Sequence, residues 1–121
     1  MHTQEMLESI LNSFAYPIVF VDKDYIIRFM NRYAKYHYHQ ERGYGELLGK
    51  SVFDCHDYPA SNEMIKKAFE KMQKDGKDYF VGVNVRNQRV YMQGVRDAKG
   101  ELTGFIERFE INVQSPYEKK R

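Results

Sequence analysis

The chain has 121 residues, a formal net charge of +2 at pH 7, 42% hydrophobic and 15% aromatic residues, which suits one domain with one core; its scattered Lys and Arg argue against a nucleic-acid surface. Its single cysteine, Cys55, excludes an internal disulfide and a multi-cysteine zinc site, fits a reducing compartment and leads us to expect a cytoplasmic protein. The longest apolar run, residues 17–21, is far short of the roughly 20 residues of a membrane span, and the N-terminus lacks the basic-then-apolar order of a signal peptide, so neither membrane insertion nor export is expected.

Met6, Leu7, Ile10, Leu11 and Phe14 fall on one helical face, which predicts an amphipathic leading helix within residues 1–15, ended before Pro17. Its stripe suits cover for the sheet or a second copy of the chain. Ile18-Val19-Phe20-Val21 is apolar on both alternations, and the polar turn Asp22-Lys23-Asp24 leads into Tyr25-Ile26-Ile27-Arg28-Phe29-Met30, so the two runs read as a hairpin. Asn31 is placed to cap a short helix reaching Tyr36, and Gly43-Tyr44-Gly45 breaks the chain. A longer helix is expected from Ser61 or Asn62, with Ile65, Ala68, Phe69 and Met72 on its apolar face and Gly76 as its stop.

Residues 78–86 predict a strand in which Tyr79, Val81, Val83 and Val85 alternate with Phe80, Gly82, Asn84 and Arg86. A turn at Asn87-Gln88 then leads to two long strands across residues 89–113, joined by Asp97-Ala98-Lys99-Gly100. The expected architecture is α+β, one antiparallel sheet with helices on a single face. Glu118-Lys119-Lys120-Arg121 closes a polar tail over residues 114–121.

Three groups of side chains carry candidate chemistry. Cys55-His56 pairs a thiol with an imidazole that can activate it or join it on a metal, although neighbours in an extended segment point apart; a buried cysteine and a helix-flanking histidine is the simpler reading. His37 and His39 have the spacing of ligands on one side of a strand, and read more simply as part of a surface aromatic cluster. Asn84, Gln93, Glu107 and Arg108 interrupt apolar strands, and of the adjacent Glu107 and Arg108 at most one faces inward. No nucleophile elbow, phosphate loop, metalloprotease pair or dinucleotide fingerprint is present in the sequence, so no enzymatic activity is expected.

Residues 17–22, Met30-Asn31-Arg32-Tyr33-Ala34, Glu46-Leu47-Leu48-Gly49-Lys50-Ser51-Val52-Phe53-Asp54 and residues 95–105, in that order, resemble a PAS domain. The resemblance implies a five-stranded antiparallel sheet in the order 2-1-5-4-3, with the domain over residues 16–113. It also implies a sensory or signalling module that binds a small ligand between sheet and helices. Asp54-Cys55-His56 is similar to a string in PAS modules attached to bacterial hemerythrin-like proteins. Several members of the family hold haem through a histidine on or near the long helix, which makes haem a candidate cofactor through His56. The pocket is then expected to involve Tyr33, Phe53, Cys55, His56, Ile65, Phe69, Met92 and Phe105, with Phe109 nearby. Val52 stands where the light-sensing branch carries its reactive cysteine, which argues against a flavin adduct. The expected partners are a small ligand, a second copy through the leading helix, and an unidentified signalling protein. Two alternatives are a ligand-free interaction or dimerisation module and a redox sensor acting through Cys55.

Overall fold

A computed structural model describes residues 2–55 and 59–111, without the side chains of residues 55, 59 and 60. Helix α1 (Thr3–Asn12) precedes strands β1 (Val19–Asp22) and β2 (Ile27–Met30); a short helix α2 (Arg32–Tyr36) runs on into a π-helical turn, His37–Glu41. A 3-10 turn, Val52–Cys55, comes before helix α3 (Pro59–Asp75), and strands β3 (Tyr79–Val83), β4 (Gln88–Arg96) and β5 (Leu102–Ile111) complete the chain. The five strands form one sheet in the order β2-β1-β5-β4-β3, with every pairing antiparallel.

Each corner has a local cause. Asp22 Oδ1 accepts the amides of Asp24 at 2.9 Å and Ile26 at 3.0 Å, an Asx turn that reverses the chain between β1 and β2. It holds Tyr25 at a φ of 65°, a conformation uncommon without glycine. Asp97 repeats the device, accepting from Lys99 at 2.9 Å and Glu101 at 3.0 Å, with Gly100 at a φ of 82°. Helix α3 stops where the Gly76 amide bonds the Met72 carbonyl at 2.8 Å. The expected turn at Asn87-Gln88 falls earlier: Asn84 already bonds Gln88 across the hairpin, and Val85, Arg86 and Asn87 form the loop, with Asn87 at a φ of 59°.

The core lies between the sheet and α2–α3. It contains Val21, Ile27, Met30, Ala34, Leu47, Phe69, Met72, Met92 and Phe105; burial of a large apolar side chain of this kind contributes roughly 1.5–3 kcal/mol. The expected strict alternation of β3 fails, because a bulge between Phe80 and Gly82 shifts the register and Val83 is 50% exposed, while Val85, beyond the strand in the loop, is fully exposed. At the opposite edge, residues 49–52 run beside β2. The Ile27 amide bonds the Lys50 carbonyl at 2.9 Å, and the Gly49 amide bonds the Ile27 carbonyl at 2.8 Å.

Asn31 joins α1 to this framework. It is wholly buried, the one polar or charged residue among the described residues in that class. Its Oδ1 accepts the Ala34 amide at 2.9 Å, the expected cap, and also the Ile18 amide at 3.0 Å. Its Nδ2 donates to the carbonyls of Leu11 at 2.9 Å and Tyr16 at 3.1 Å. Helix α1 itself buries no residue, and Met6, Leu7, Ile10 and Phe14 stay exposed.

Candidate functional site

A cavity of about 120 Å³ opens between the sheet and α3. Val19, Val21, Ile27 and Met30 of the first hairpin form one wall, Met92 and Phe105 of the long strands another, and Leu47, Val52, Met64 and Ile65 close it from the helical side. Its polar side chains are Tyr38, Ser61 and Glu107. The arrangement follows from strand alternation: Phe105 and Glu107 are two residues apart on β5, so both face the helices. Their cross-strand partners on β4 and β1 are Met92 for Glu107 and Val21 for Phe105.

Of the expected pocket residues, Ile65, Met92 and Phe105 line this cavity. Three others stand elsewhere. Phe69 points into the solid core, its ring 5.3 Å from Phe105 and 5.7 Å from Tyr25. Phe53 packs on the far side of Tyr25 at 5.1 Å, with Lys66 Nζ 5.1 Å from its centroid. Tyr33 lines a neighbouring cleft, where its hydroxyl accepts a bond from Arg86 at 3.2 Å. The readings that rest on the Cys55 side chain and on His56 lie outside the described residues, and so does the continuation of the last strand to Val113.

Glu107 and Arg108 divide as alternation requires. Glu107 faces the cavity, whereas Arg108 lies on the outer face, bonding Asp78 at 2.6 Å, Gln93 at 3.0 Å and Glu110 at 3.0 Å. Its guanidinium carbon sits 4.4 Å from the Tyr91 ring centroid. The Asp78 hydrogen bond, above all, holds the Arg108 pKa above its ordinary value. Asn84 belongs to the β3–β4 loop and so interrupts no strand.

His37 and His39 occupy the π-helical turn, so the side-by-side geometry of a strand does not arise. His37 Nδ1 is 3.2 Å from a Glu41 carboxylate oxygen, and His39 Nδ1 is 3.1 Å from the Tyr44 carbonyl oxygen. The aromatic cluster itself is present, with Tyr38 ring centroids 5.0 Å from His37 and 6.2 Å from Tyr44. Among the described residues no group of three or more His, Cys, Asp or Glu could hold a metal ion.

The sequence reading missed Tyr38, Leu47 and the first-hairpin residues of the wall, because an inward strand residue that fills the core and one that lines a void look alike in sequence. The size of the void also bears on cofactors. About 120 Å³ is below the roughly 300–1,000 Å³ of sites for drug-sized ligands, so a tetrapyrrole or an isoalloxazine does not fit with these side chains where they stand.

The PAS domain family profile matches residues 7–111, and the chain belongs to that family. Among solved structures, it is similar to a C-terminal domain from Streptococcus mutans, with a TM-score of 0.70 and 24% identity over 91% of this chain and 85% of that one. The PAS domain of BvgS from Bordetella pertussis gives a TM-score of 0.57 and 22% identity over 93% and 88% of the two chains. The histidine kinase ThkA, in complex with the response regulator protein TrrA, gives 0.55 and 25% identity over 90% of this chain and 32% of that one. No curated protein matches the sequence. No helix among the described residues is long and apolar enough to cross a membrane.

Proposed function

We propose that this PAS domain is a sensory module whose input is a small, largely apolar ligand taken up between the sheet and α3. The observation that carries the reading is the cavity: a void of about 120 Å³ in a core otherwise filled by large side chains, with its few polar groups on Tyr38, Ser61 and Glu107. Apolar voids of this scale stay dry and accept small hydrocarbons. A ligand that prefers one packing of α3 and β5 over another shifts the population of the two. The hydrogen bonds of Asn31 pass the change to the end of α1. The domain works by this conformational bias rather than by catalysis, in the cytoplasm, on a signalling partner of the kind that the ThkA–TrrA complex exemplifies.

The test is mass spectrometry of ligand extracted from purified protein, coupled to Ile65→Phe. That substitution extends a ring into the cavity. The expected result is a folded variant from which the small apolar compound is lost; retention of the same compound would overturn the reading.

Helix α1 supports a second, compatible role. It buries no residue, while Met6, Leu7 and Ile10 are 47%, 52% and 51% exposed, so a second copy packing stripe against stripe would remove that surface from water. Leu7→Glu with Ile10→Glu is expected to turn a dimer into a monomer in sedimentation velocity. Equal sedimentation of variant and parent would remove α1 as the contact.

A further inference from the structure

One wall of the cavity reaches solvent. Val21, Ile27, Met30 and Met92 on the strands behind it are at most 2% exposed, whereas Val81, the residue of β3 that lines the same void, is 39% exposed. Glu107 is the other exposed lining residue, and Ser61 and Met64, in the first two turns of α3, are partly exposed. The void meets the outside where the edge strand β3 passes the start of α3.

The bulge in β3 shapes that opening. Phe80 pairs with Tyr91 and Gly82 with Val90, so Val81 is the extra residue, with no partner of its own on β4. Bulges of this kind re-aim a side chain and interrupt pairing next to functional sites. Gly82 then widens the gap. It stands opposite Val90, two residues from Met92, and so takes a position on the cavity side of the sheet. Its φ of 149° suits glycine, and no atom lies within 4 Å of where a Cβ would be. A position that in a regular strand would carry an inward side chain is empty beside Val81.

The other way in is strapped. The outer cleft shares Pro17, Tyr38 and Glu107 with the cavity, but Arg86 of the β3–β4 loop donates to the Tyr33 hydroxyl of α2 at 3.2 Å, and both residues line the cleft. The Tyr38 ring, where the two spaces meet, has the Arg42 guanidinium 6.0 Å and the Tyr44 ring 6.2 Å from its centroid.

Resting on the reading of the cavity as a ligand site, we infer that the bulge of β3 is the portal of that site, with Val81 as its gate and Gly82 as the gap beside it. A ligand passes there between β3 and the first turns of α3 without parting α3 from the sheet, so occupancy follows concentration while the core stays packed. A gate that acts on the passage alone changes the barrier and not its two ends, so it moves the rates of entry and exit together and leaves their ratio in place.

Fluorine NMR of exchange between free and bound fluorobenzene, measured on the full chain, reads both rates. A single ring is a suitable probe, because the void of about 120 Å³ is close to a cavity of about 150 Å³ that takes up benzene. Val81→Phe is expected to slow association and dissociation alike by about tenfold, and Val81→Ala to speed both, with Kd nearly unchanged in each. A change in dissociation alone would overturn the gate and make Val81 a contact of the bound ligand. Parent rates in both Val81 variants, with faster exchange in Arg86→Ala, would overturn it in favour of entry through the outer cleft. No binding of fluorobenzene to the parent would overturn both the portal and the cavity as a ligand site.

Discussion

Asn31 Nδ2 donates to the Leu11 carbonyl across 2.9 Å, so one wholly buried amide decides how the leading helix meets the sheet. Asn31→Asp keeps the acceptor for the Ile18 and Ala34 amides but turns an oxygen toward the carbonyls of Leu11 and Tyr16. The substitution is expected to cost about 3 kcal/mol in chemical denaturation. It should also speed amide hydrogen exchange in α1 well before it affects β4 and β5. Uniform acceleration throughout the chain would show that Asn31 stabilises the whole domain without coupling α1 in particular.

Asp22 gives the first hairpin a pH dependence. Burial alone would raise its pKa, but the Arg28 side-chain bond, the Ile26 and Asp24 amides and the Arg28 charge outweigh that effect and hold it below its ordinary value. A folded-state pKa below the unfolded one means stabilisation that is complete above the unfolded value and lost as pH falls through the folded one. Asp22→Asn is therefore expected to lower the melting temperature at pH 7, with the gap to the parent closing in acid below the ordinary carboxylate range. A gap that stays constant into that range would show that the charge contributes nothing.

Gly104 is fixed by close approach to a neighbouring strand. A Cβ there would collide with the Val21 carbonyl oxygen and come within 2.9 Å of Asp22 Cα and of the Phe20 ring. Gly104→Ala is expected to cost at least about 2 kcal/mol, lowering the melting temperature by on the order of 10 °C. Gly45→Ala, with nothing within 4 Å of its Cβ, serves as the neutral control in the same thermal scan.

Absorption spectroscopy tests the haem reading directly. With an inner void of about 120 Å³, added hemin is expected to give no sharp Soret band that depends on His56. A band abolished by His56→Ala would show that the cavity expands to take a tetrapyrrole.

Much of this fold can be read from the sequence because its corners use residues with a local mechanism. Asp22, Gly76, Asp97 and Gly100, and Asn31 in its capping of Ala34, each bond or turn the chain within a few positions of themselves, so that effect is written beside them, whereas the bonds of Asn31 to Ile18, Leu11 and Tyr16 are not. The phase of β3 was not legible, since the bulge at Phe80 and Gly82 depends on pairing with Tyr91 and Val90, residues that alternation within one strand cannot see. The π-helical turn was likewise hidden, because it continues α2 with no breaker before Gly43. At the site, Ile65, Met92 and Phe105 could be read as inward residues and proved to line the cavity. Phe69 fits the same pattern but fills space, and Phe53 and Tyr33 lie to either side. The inward turn of Glu107 follows once its partner Met92 is known, and that partnership is a property of the register.

The two borders of the sheet have a bearing on how copies of this domain can meet. Beside β2, residues 49–52 already occupy backbone groups that an incoming strand would need, and on β3 the bulge breaks the row of evenly spaced donors and acceptors. A free, regular border invites another strand and can seed open-ended stacking of chains, whereas a covered or kinked one resists it. Extension of the sheet from one molecule into the next is thus disfavoured on both sides, which leaves association to surfaces such as α1 that can close on themselves and stop at a defined number of copies.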